Sequence, residues 1–533
     1  MRSLLTVLCL LLTLTVFAQT SVRQWDRFEL ELKGKDLPGS FTEVTLAAVF
    51  THADTTFTVD GFYDGKGRYL VRFMPHKPGE WTYVTTSNMP ELDQKTGAFS
   101  CTAPGENVHG PVRVRDTYLF EYADGTPYYP FGTTAYAWTH MPDVLQTQTL
   151  NSLKASAFNK LRMCVFPKNY NLVKEEPTRF PFVRLTAKDK RAKKTSSDWD
   201  FTRFDPEFFH HLEKQIDALR DLGIEADLIL FHPYDKGRWG FDSMESEEDV
   251  RYLKYITARL ASFRNVWWSM ANEYDYLTSK SERDWELLTY TVTSNDPYRH
   301  LCSIHGSTAK YAPYWNPEYT HVSVQDEGPV SDFGRAATVR NIYYKPVVFD
   351  EVCYEGNLSS RWGRLSGEEM LHNIWQGLLA GTYVTHGECF QGEGSQERLF
   401  WAKGGELVGS SWRRIGFTRS LIESYPNGLQ LADVSRDNYT ATGGEGSYLV
   451  YLGKEVRDTW LFDLPSKNAD YEPLKKAGKR FRVEIIDTWD MTVTEYPVVF
   501  ETTEVRDYRV YDKEMRKVRL PLKPYLALRI TEL

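Results

Sequence analysis

The stretch Asn265-Val-Trp-Trp-Ser-Met-Ala-Asn-Glu-Tyr-Asp275 is the one from which the rest of the chain is interpreted. It begins as a short apolar, aromatic run of strand length and ends in polar side chains, among them Asn272 and Glu273. A second run of the same kind, residues 345–351, also ends in carboxylates, and its last residue is Glu351. The two runs therefore predict two buried strands, each ending in a carboxylate.

Between residues 106 and 425 short apolar runs alternate with helical segments. The helix predicted over residues 205–223 is typical, since Asp205 is suited to the N-cap, Pro206 to the first turn and Gly223 to the end. Strands alternating with helices over roughly 300 residues predict an α/β fold, a (β/α)8 TIM barrel. The eight runs assigned as its strands are residues 128–134, 159–166, 225–231, 265–271, 301–305, 321–325, 346–349 and 382–386.

On both sides of this region the pattern changes to period-two alternation interrupted by Gly and Pro turns. Residues 28–32 and 447–452 are examples. Such alternation with frequent turns is typical of β-sandwiches. We therefore divide the chain into a signal peptide at 1–18, an N-terminal Ig-like β-sandwich at 19–105, the barrel at 106–425 and a C-terminal β-sandwich at 426–533.

The first 18 residues predict export to the periplasm or the exterior. Arg2 is followed by an apolar run at residues 4–14 and a small-residue cleavage site at Ala18. No later segment has about 18 consecutive apolar residues, so no membrane span is predicted. Loss of Cys9 with the signal leaves five cysteines without a CxxC motif, which indicates neither a disulfide scaffold nor a zinc site. No cofactor is predicted, and the oligomeric state is unknown from the sequence.

The composition of the chain limits the classes of ligand that it is expected to bind. The net charge of -8 argues against a nucleic-acid partner. The 15 Trp and 32 Tyr residues provide aromatic faces of the kind that stack on sugar rings, although most aromatic side chains fill cores. A carbohydrate is therefore the partner class to compare with the site.

The functional groups of a (β/α)8 barrel lie at the C-terminal ends of its strands. Glu273 and Glu351 are expected to be catalytic, because two ionised carboxylates in one cleft repel each other and cost stability unless function keeps them. Side chains alternate along a strand, so Asp350 is expected to point away if Glu351 points into the mouth. Other strand-end residues are expected to bind substrate: Asn272, Arg162, His232, Trp138, His305, Gln325, Glu388 and Trp401.

Segments 109–114, 122–134 and 353–356 resemble the apiosidase-like branch of the clan-A glycoside hydrolases, and Asn272-Glu273 is similar to the clan's acid/base motif. The resemblance covers nearly the whole mature chain. It implies a barrel between two β-sandwiches that cleaves O-glycosidic bonds of a plant or microbial polysaccharide or oligosaccharide. It also implies a retaining mechanism, with Glu273 as acid/base and Glu351 as nucleophile. The branch is expected to carry Asp where this chain has Glu273, so apiose specificity is not carried over.

Two alternative functions are compared with the residues of this chain. A non-catalytic carbohydrate-binding protein on a barrel scaffold would lack one of the two glutamates, and this chain keeps both. A metal-dependent hydrolase would use His232, Asp235, His305 and His386, whose spacing is not that of a metal site.

A long basic insertion at residues 167–204 includes Lys190 and Lys193. At the mouth of the barrel it would shape access to the site and meet anionic glycans, or it would be a solvated flap without that role. The sequence leaves both interpretations open.

Overall fold

The computed structural model describes residues 21–169, 175–326, 333–392, 397–425, 428–433, 439–444, 446–466, 477–506 and 508–533. The predicted signal peptide and Lys174 of the basic insertion lie outside these residues. Among the helices that are described, none has the length and apolarity needed to cross a bilayer.

The N-terminal part of the chain is built of β-strands. In chain order these are β1 (Ser21–Arg23), β2 (Phe28–Lys33), β3 (Leu46–His52), β4 (Thr55–Asp60), β5 (Phe62–Tyr63), β6 (Arg68–Phe73), β7 (Gly79–Ser87), β8 (Thr96–Thr102), β9 (Val112–Arg115), β10 (Leu119–Tyr122) and β11 (Pro127–Tyr128).

Two of the N-terminal sheets share one apolar core. Their strand orders are β1-β8-β7-β3-β4 and β2-β6-β5. Phe28 of one sheet stacks on Phe99 of the other with ring centroids 4.0 Å apart. A further sheet of order β11-β10-β9 places Phe120 against Trp267 of the middle region, with centroids 5.4 Å apart. This part of the chain is therefore sheet-rich and packs directly onto the region that follows.

The middle region alternates strands and helices. In chain order these are β12 (Gly132–Thr134), α1 (Asp143–Ala155), β13 (Lys160–Cys164), β14 (Phe182–Arg184), α2 (Ala187–Lys193), β15 (Trp199–Phe204), α3 (Pro206–Asp221), β16 (Glu225–Phe231), α4 (Ser246–Leu260), β17 (Val266–Ala271), α5 (Glu282–Asn295), β18 (Cys302–Ser303), β19 (Val322–Gln325), α6 (Phe333–Tyr343), β20 (Val347–Glu351), β21 (Glu355–Gly356), α7 (Gly367–Leu379), β22 (Tyr383–Val384), β23 (Glu388–Gln391), β24 (Glu397–Arg398), α8 (Phe400–Lys403) and α9 (Ser411–Ile422). Short 3-10 helices lie at Trp138–His140, Phe241–Ser243, Tyr274–Tyr276 and Arg361–Gly363.

The parallel strands of this region form a TIM-barrel-type core. One parallel sheet has the order β12-β13-β16-β17-β18, and another has the order β19-β20-β22. Parallel bridges join the two sheets at both ends, Thr133 to His386 and His305 to Ser323. Each strand run predicted from the sequence contains or overlaps one of these strands. The helix predicted over residues 205–223 is α3, whose N-cap side chain, Asp205, accepts a hydrogen bond from the Glu207 amide as predicted.

Charged side chains occupy the interior of this core. Lys160 Nζ lies 2.6 Å from Asp227 Oδ2 and 2.8 Å from Asp350 Oδ1, and Arg162 Nε lies 3.7 Å from Asp227 Oδ2. Burial opposes ionisation of Asp350, but the Lys160 and Arg162 cations hold the pKa of that carboxyl well below its ordinary value. The strands are thus joined across the interior by paired charges.

The C-terminal part of the chain is again made of strands. They are β25 (Gln430–Asp433), β26 (Tyr439–Gly444), β27 (Ser447–Tyr451), β28 (Thr459–Leu461), β29 (Asp463–Pro465), β30 (Arg480–Asp487), β31 (Thr492–Glu495), β32 (Phe500–Arg506), β33 (Arg509–Asp512), β34 (Lys517–Arg519) and β35 (Leu526–Glu532).

Most C-terminal strands belong to one sheet of order β25-β26-β27-β35-β30-β32-β33-β29, in which β31 also pairs with β30. The strands β28 and β34 form a separate pair. Phe462 and Phe500 stack in the core of the C-terminal part, with ring centroids 4.5 Å apart. His372 of α7 is hydrogen-bonded to the Tyr451 hydroxyl at 2.9 Å, which fastens this sheet-rich part to the core.

A buried ionic cluster joins the N-terminal sheets to the outer helices of the core. Arg259 of α4 donates to Asp64 Oδ1 at 2.7 Å and to Glu213 Oε1 of α3 at 2.6 Å. Arg72 of β6 lies 2.8 Å from the same Glu213 oxygen. Removal of one partner would leave buried charge uncompensated, so a substitution that breaks the cluster should destabilise the fold strongly.

We expect Arg259→Leu to lower the free energy of unfolding by about 3 kcal/mol, because Asp64 and Glu213 lose their shared cation. Arg220→Leu is the matched control: its half-exposed pairs with Asp217 and Asp221 should contribute about 0–1 kcal/mol. Urea unfolding followed by tryptophan fluorescence measures both changes. Equal, small losses in the two variants would contradict this assignment.

Candidate active site

Glu351 lies at the end of β20, where a β-bulge turns two consecutive carboxylates inward. The register between β19 and β20 shifts by one residue beside Glu351. The neighbouring carboxylate, Asp350, accepts a 2.9 Å hydrogen bond from Thr385 Oγ1 and pairs with Lys160 in the interior. The prediction that Asp350 points away was therefore wrong, because a bulge interrupts the alternation of side chains along a strand.

Glu351 is buried among hydrogen-bond donors. The Tyr136 hydroxyl donates to Oε1, and Arg162 Nη1 donates to the same oxygen at 3.4 Å. His305 Nε2 lies 3.6 Å from it. A guanidinium and a phenol thus donate to the same carboxylate oxygen. Of the predicted residues, Arg162 and His305 are thus brought to Glu351.

Glu273 follows β17 in a strained backbone conformation. Its φ of 44° and ψ of 53° are left-handed, which costs a non-glycine residue on the order of 1–3 kcal/mol and is concentrated at functional sites. The half-buried carboxylate accepts a hydrogen bond from the Tyr234 hydroxyl and another from the side chain of Gln325. Burial and then the charge of Glu351 raise its pKa. Glu273 is thus disposed to hold a proton when Glu351 is ionised.

Asn272 connects the surroundings of the two glutamates. Its Oδ1 accepts a 2.7 Å hydrogen bond from Arg162 Nη1, the group that also reaches Glu351. Its Nδ2 donates at 2.7 Å to the Tyr234 hydroxyl, which in turn donates to Glu273. A continuous chain of hydrogen bonds therefore runs from one carboxylate to the other through side chains from several strand ends.

The two phenols of this network were not among the predicted site residues. Burial, and next the charge of the carboxylate that each one bonds, raise the pKa of Tyr136 and of Tyr234 well above the ordinary value. Both hydroxyls therefore remain protonated donors. The sequence signal was available, since both tyrosines follow predicted strands, but a tyrosine at a strand end is also common in cores.

His232 supports this network without contacting a carboxylate. Its Nε2 bonds the Phe166 carbonyl at 3.2 Å, and its Nδ1 accepts a 3.3 Å hydrogen bond from the Tyr234 amide. Burial and then the Lys168 cation lower the pKa of His232 to about 3, so the ring is neutral near pH 7. The imidazole thus fixes the loop that presents Tyr234.

Two predicted aromatic residues have different environments. Trp138 is fully buried in the apolar core, and its Nε1 points to Met163 Sδ at 3.3 Å. Trp138 is therefore not brought to the network of the two glutamates, and its role as a substrate contact stays a prediction. Trp401 packs on Tyr354, with ring centroids 5.6 Å apart. Burial, and next the charge of the nearby Glu351, raise the pKa of Tyr354.

Glu388 belongs to a second cluster and not to the network of Glu273. It accepts hydrogen bonds from the amides of Val408 at 2.7 Å and Gly409 at 3.0 Å. His386 Nε2 lies 3.9 Å from Glu388 Oε2. Glu355 accepts bonds from the amides and hydroxyls of Ser410 and Ser411 at the start of α9. Glu388 is therefore not brought to the two glutamates, since its oxygens hold the loop before α9, and its substrate contact stays a prediction.

One cluster of side chains has the residue types of a metal site. Among the described residues, Glu355, His386 and Glu388 have ligand atoms within 4.8 Å of one another. Backbone N–H groups already occupy oxygens of both carboxylates, and amide donors at a helix start favour an anion over a cation. We therefore assign this cluster no metal. The four side chains of the metal-hydrolase alternative have separate partners: His232 with Phe166, Asp235 with the amides of Trp239 and Phe241, His305 with Ser323 and His386 with Thr133.

The basic insertion contains its own counter-charges. Lys190 pairs with Asp198, and Lys193 Nζ lies 2.9 Å from Asp200 Oδ2. Both acids belong to the insertion, and Asp200 is the second residue of β15, which pairs with β14 in antiparallel fashion. The positive charge that these lysines offer to a ligand is therefore reduced, which weakens the hypothesis of an anion-selective flap.

Family models match three parts of the chain. Residues 115–414 match the apiosidase-like catalytic domain. Residues 21–88 match a domain of unknown function, DUF5060, and residues 437–531 match another, DUF5605. No curated protein matches the chain.

Solved structures agree with these matches. A presumed glycoside hydrolase from Bacteroides vulgatus ATCC 8482 is 58% identical and covers 97% of this chain and 100% of its own, with a TM-score of 0.91. A family 5 glycoside hydrolase from the same organism is 14% identical and covers 80% of this chain and 94% of its own, with a TM-score of 0.57. The second likeness supports the fold alone.

The Glu388 cluster predicts a pH-dependent stability. Burial, the largest cause, raises the pKa of Glu388 to about 8. A raised folded-state pKa stabilises the fold fully below the unfolded value of about 4.3, and this contribution is lost as pH rises toward 8, by about 1.4 kcal/mol per unit. Glu388→Gln stays neutral throughout, so its Tm should fall less than that of the wild type between pH 5.5 and 7.5. The exposed Glu406→Gln is the control and should fall like the wild type. Parallel curves for Glu388→Gln and the wild type would refute the prediction.

Proposed function

The chain belongs to the apiosidase-like family, whose solved relatives are glycoside hydrolases, and we propose that it is a retaining O-glycosidase with Glu351 as nucleophile and Glu273 as acid/base. The observation that carries the proposal is the hydrogen-bond chain through Arg162, Asn272 and Tyr234 that links the two carboxylates. Two carboxyl groups that share one site and differ in their tendency to hold a proton are what this reaction needs.

Glu351 is suited to attack. Arg162 and Tyr136 donate to its Oε1, which fixes the position of the carboxylate. In the proposed first step, an oxygen of Glu351 forms a bond to the anomeric carbon while the bond from that carbon to the leaving oxygen breaks. The product is a glycosyl ester in which the charge of Glu351 has been consumed.

Glu273 is suited to exchange the proton. Burial and then the charge of Glu351 raise its pKa, so it holds a proton for the leaving oxygen. Formation of the ester removes the neighbouring charge, which lowers the pKa of Glu273. The resulting carboxylate accepts a proton from water, whose oxygen then attacks the anomeric carbon and releases Glu351.

Asn272 and Trp401 are proposed to hold the sugar. One N–H of the Asn272 amide donates to Tyr234, and we assign its second N–H to the 2-hydroxyl of the sugar. Trp401 is assigned a stacking contact with a sugar face. The substrate class is an oligosaccharide or polysaccharide of plant or microbial origin.

The finer architecture is part of the proposal. We assign residues 106–425 to a complete (β/α)8 barrel, with β-sandwiches at 19–105 and 426–533 that pack against it. The strand orders and the two bridges between the parallel sheets support this assignment. The protein is proposed to be exported to the periplasm or the exterior after removal of residues 1–18.

The two glutamates should be separable by mutation. On 4-nitrophenyl furanosides and pyranosides, Glu351→Ala should be inactive, by a factor on the order of 10⁴ or more, because no nucleophile remains. Glu273→Ala should retain activity on substrates with good leaving groups, because these need no proton. Added azide should increase its rate and yield a glycosyl azide of retained configuration.

NMR of the first-formed sugar tests the stereochemistry in the wild type. A product of inverted configuration would rule out the nucleophile assignment, since inversion requires a water between carboxyl groups about 6.5–9.5 Å apart. Absence of hydrolysis on the whole panel, together with glycan binding, would favour a non-catalytic binding protein.

Export has a separate test. N-terminal sequencing of the protein recovered outside the cytoplasm should begin at Gln19, because Ala18 ends the small-residue cleavage site. Recovery of an intact protein from the cytoplasm alone would contradict it.

A further inference from the structure

Lys168 is a buried cation at the centre of the hydrogen-bond network. It lies four residues after β13, at the start of the basic insertion, and its side chain is buried. Its Nζ lies 3.7 Å from the ring centroid of Tyr136 and 3.7 Å from that of Tyr234. An ammonium group at this distance from an aromatic face is attracted by the π-system, and here one group contacts two rings.

The two rings are those that serve the two carboxylates. The Tyr136 hydroxyl donates to Glu351, and the Tyr234 hydroxyl donates to Glu273. A displacement of either ring would move its hydroxyl away from its carboxylate. The ammonium group between the rings therefore couples the position of one phenol to that of the other.

Resting on the function proposed above, we propose that Lys168 is a positioning residue of the reaction. Its ammonium group holds the Tyr136 and Tyr234 rings so that both hydroxyls stay on the carboxylates, and its charge offsets that of the glutamate pair in the free enzyme. Lys190 and Lys193, two other lysines of the insertion, pair with acids of the insertion itself. Lys168 instead lies against the two rings that serve the carboxylates.

The charges around Lys168 agree with this role. Glu351 and Glu273 favour its charged form, whereas burial and the Arg162 cation disfavour it. Cys164 and the neutral ring of His232 also face it. Burial, the largest of these effects, lowers the pKa of Lys168 to about 8. The cation is therefore present at neutral pH and is lost as pH rises through about 8.

The sign of its effect on the glutamates follows from charge. A nearby cation favours the ionised form of a carboxyl group, and the charge of Lys168 lowers the pKa of Glu273. Loss of the cation should make the first ionisation of the glutamate pair less favourable. The acid limb of the kcat/KM profile should then move to higher pH, because one carboxylate of the pair must be ionised to attack.

The test compares Lys168→Met, Lys168→Arg and Lys154→Met on a 4-nitrophenyl glycoside that the wild type hydrolyses. Lys154 is exposed on α1 and serves as the matched loss of a lysine. Lys168→Met should shift the acid limb upward by about one pH unit and lower kcat at neutral pH by about tenfold or more. Lys168→Arg keeps the positive charge, so its acid limb should stay near that of the wild type. Lys154→Met should behave as the wild type.

Thermal unfolding shows whether each variant is folded, and if Lys168→Met is not, Lys168→Gln replaces it. An unshifted acid limb in the folded neutral variant, or an equal shift in Lys168→Arg, would overturn the role of Lys168 while the proposed function stands. A KM increase confined to uronides with unchanged limbs would overturn it as well. If Glu351→Ala keeps wild-type activity, the proposed function itself fails, and the role of Lys168 fails with it.

Discussion

Buried charge in the interior of the core is the constraint on which the site depends. Lys160 is fully buried and is tolerated because Asp227 and Asp350 both lie within hydrogen-bonding distance. Removing either acid would leave an uncompensated ion at a cost of about 3–5 kcal/mol. These side chains come from β13, β16 and β20, so the ion pairs fix how far the three strands are shifted along one another. The same arrangement holds Arg162 beneath Glu351, so a structural requirement and the electrostatics of the candidate nucleophile have one origin.

Departures from regular backbone geometry present the two glutamates. A bulge at the end of β20 turns Glu351 inward beside Asp350, and Cys353, two residues later, has a positive φ of 69°. Glu273 is itself left-handed. Such conformations are unfavourable for residues other than glycine and persist where surrounding contacts compensate for them. Here the Tyr274 amide donates to the His305 carbonyl at 3.0 Å, which holds the turn after Glu273 in place.

The period of the apolar residues and the polar residues after them were enough to locate the parallel strands and to predict Glu273 and Glu351 at two strand ends, because a buried strand and its polar end are local features. The residues that lie elsewhere than expected, or that were missed, depend on contacts between distant segments. Nothing near Trp138 in sequence indicates that its ring turns toward Met163, and nothing near Glu388 indicates the amides of the loop before α9. Tyr136 and Tyr234 belong to the network because Asn272 bonds the Tyr234 hydroxyl and Lys168 lies against both rings. The direction of the Asp350 side chain depends on the bulge beside Glu351, and the alternation of side chains along a strand does not predict a bulge.

The charges of the site form a set that suits a reaction with one ionised and one protonated glutamate. Two cations, Arg162 and Lys168, face Glu351, and one of them titrates near pH 8. With Glu273 protonated and Glu351 ionised, the cations Lys160, Arg162 and Lys168 are matched by the carboxylates Asp227, Asp350 and Glu351. When Glu351 becomes an ester, one positive charge is left in excess and favours ionisation of Glu273, the form that the water step requires. The cations therefore assist the change of Glu273 from acid to base between the two steps, whereas a site with neutral surroundings would have to rely on the glutamates alone.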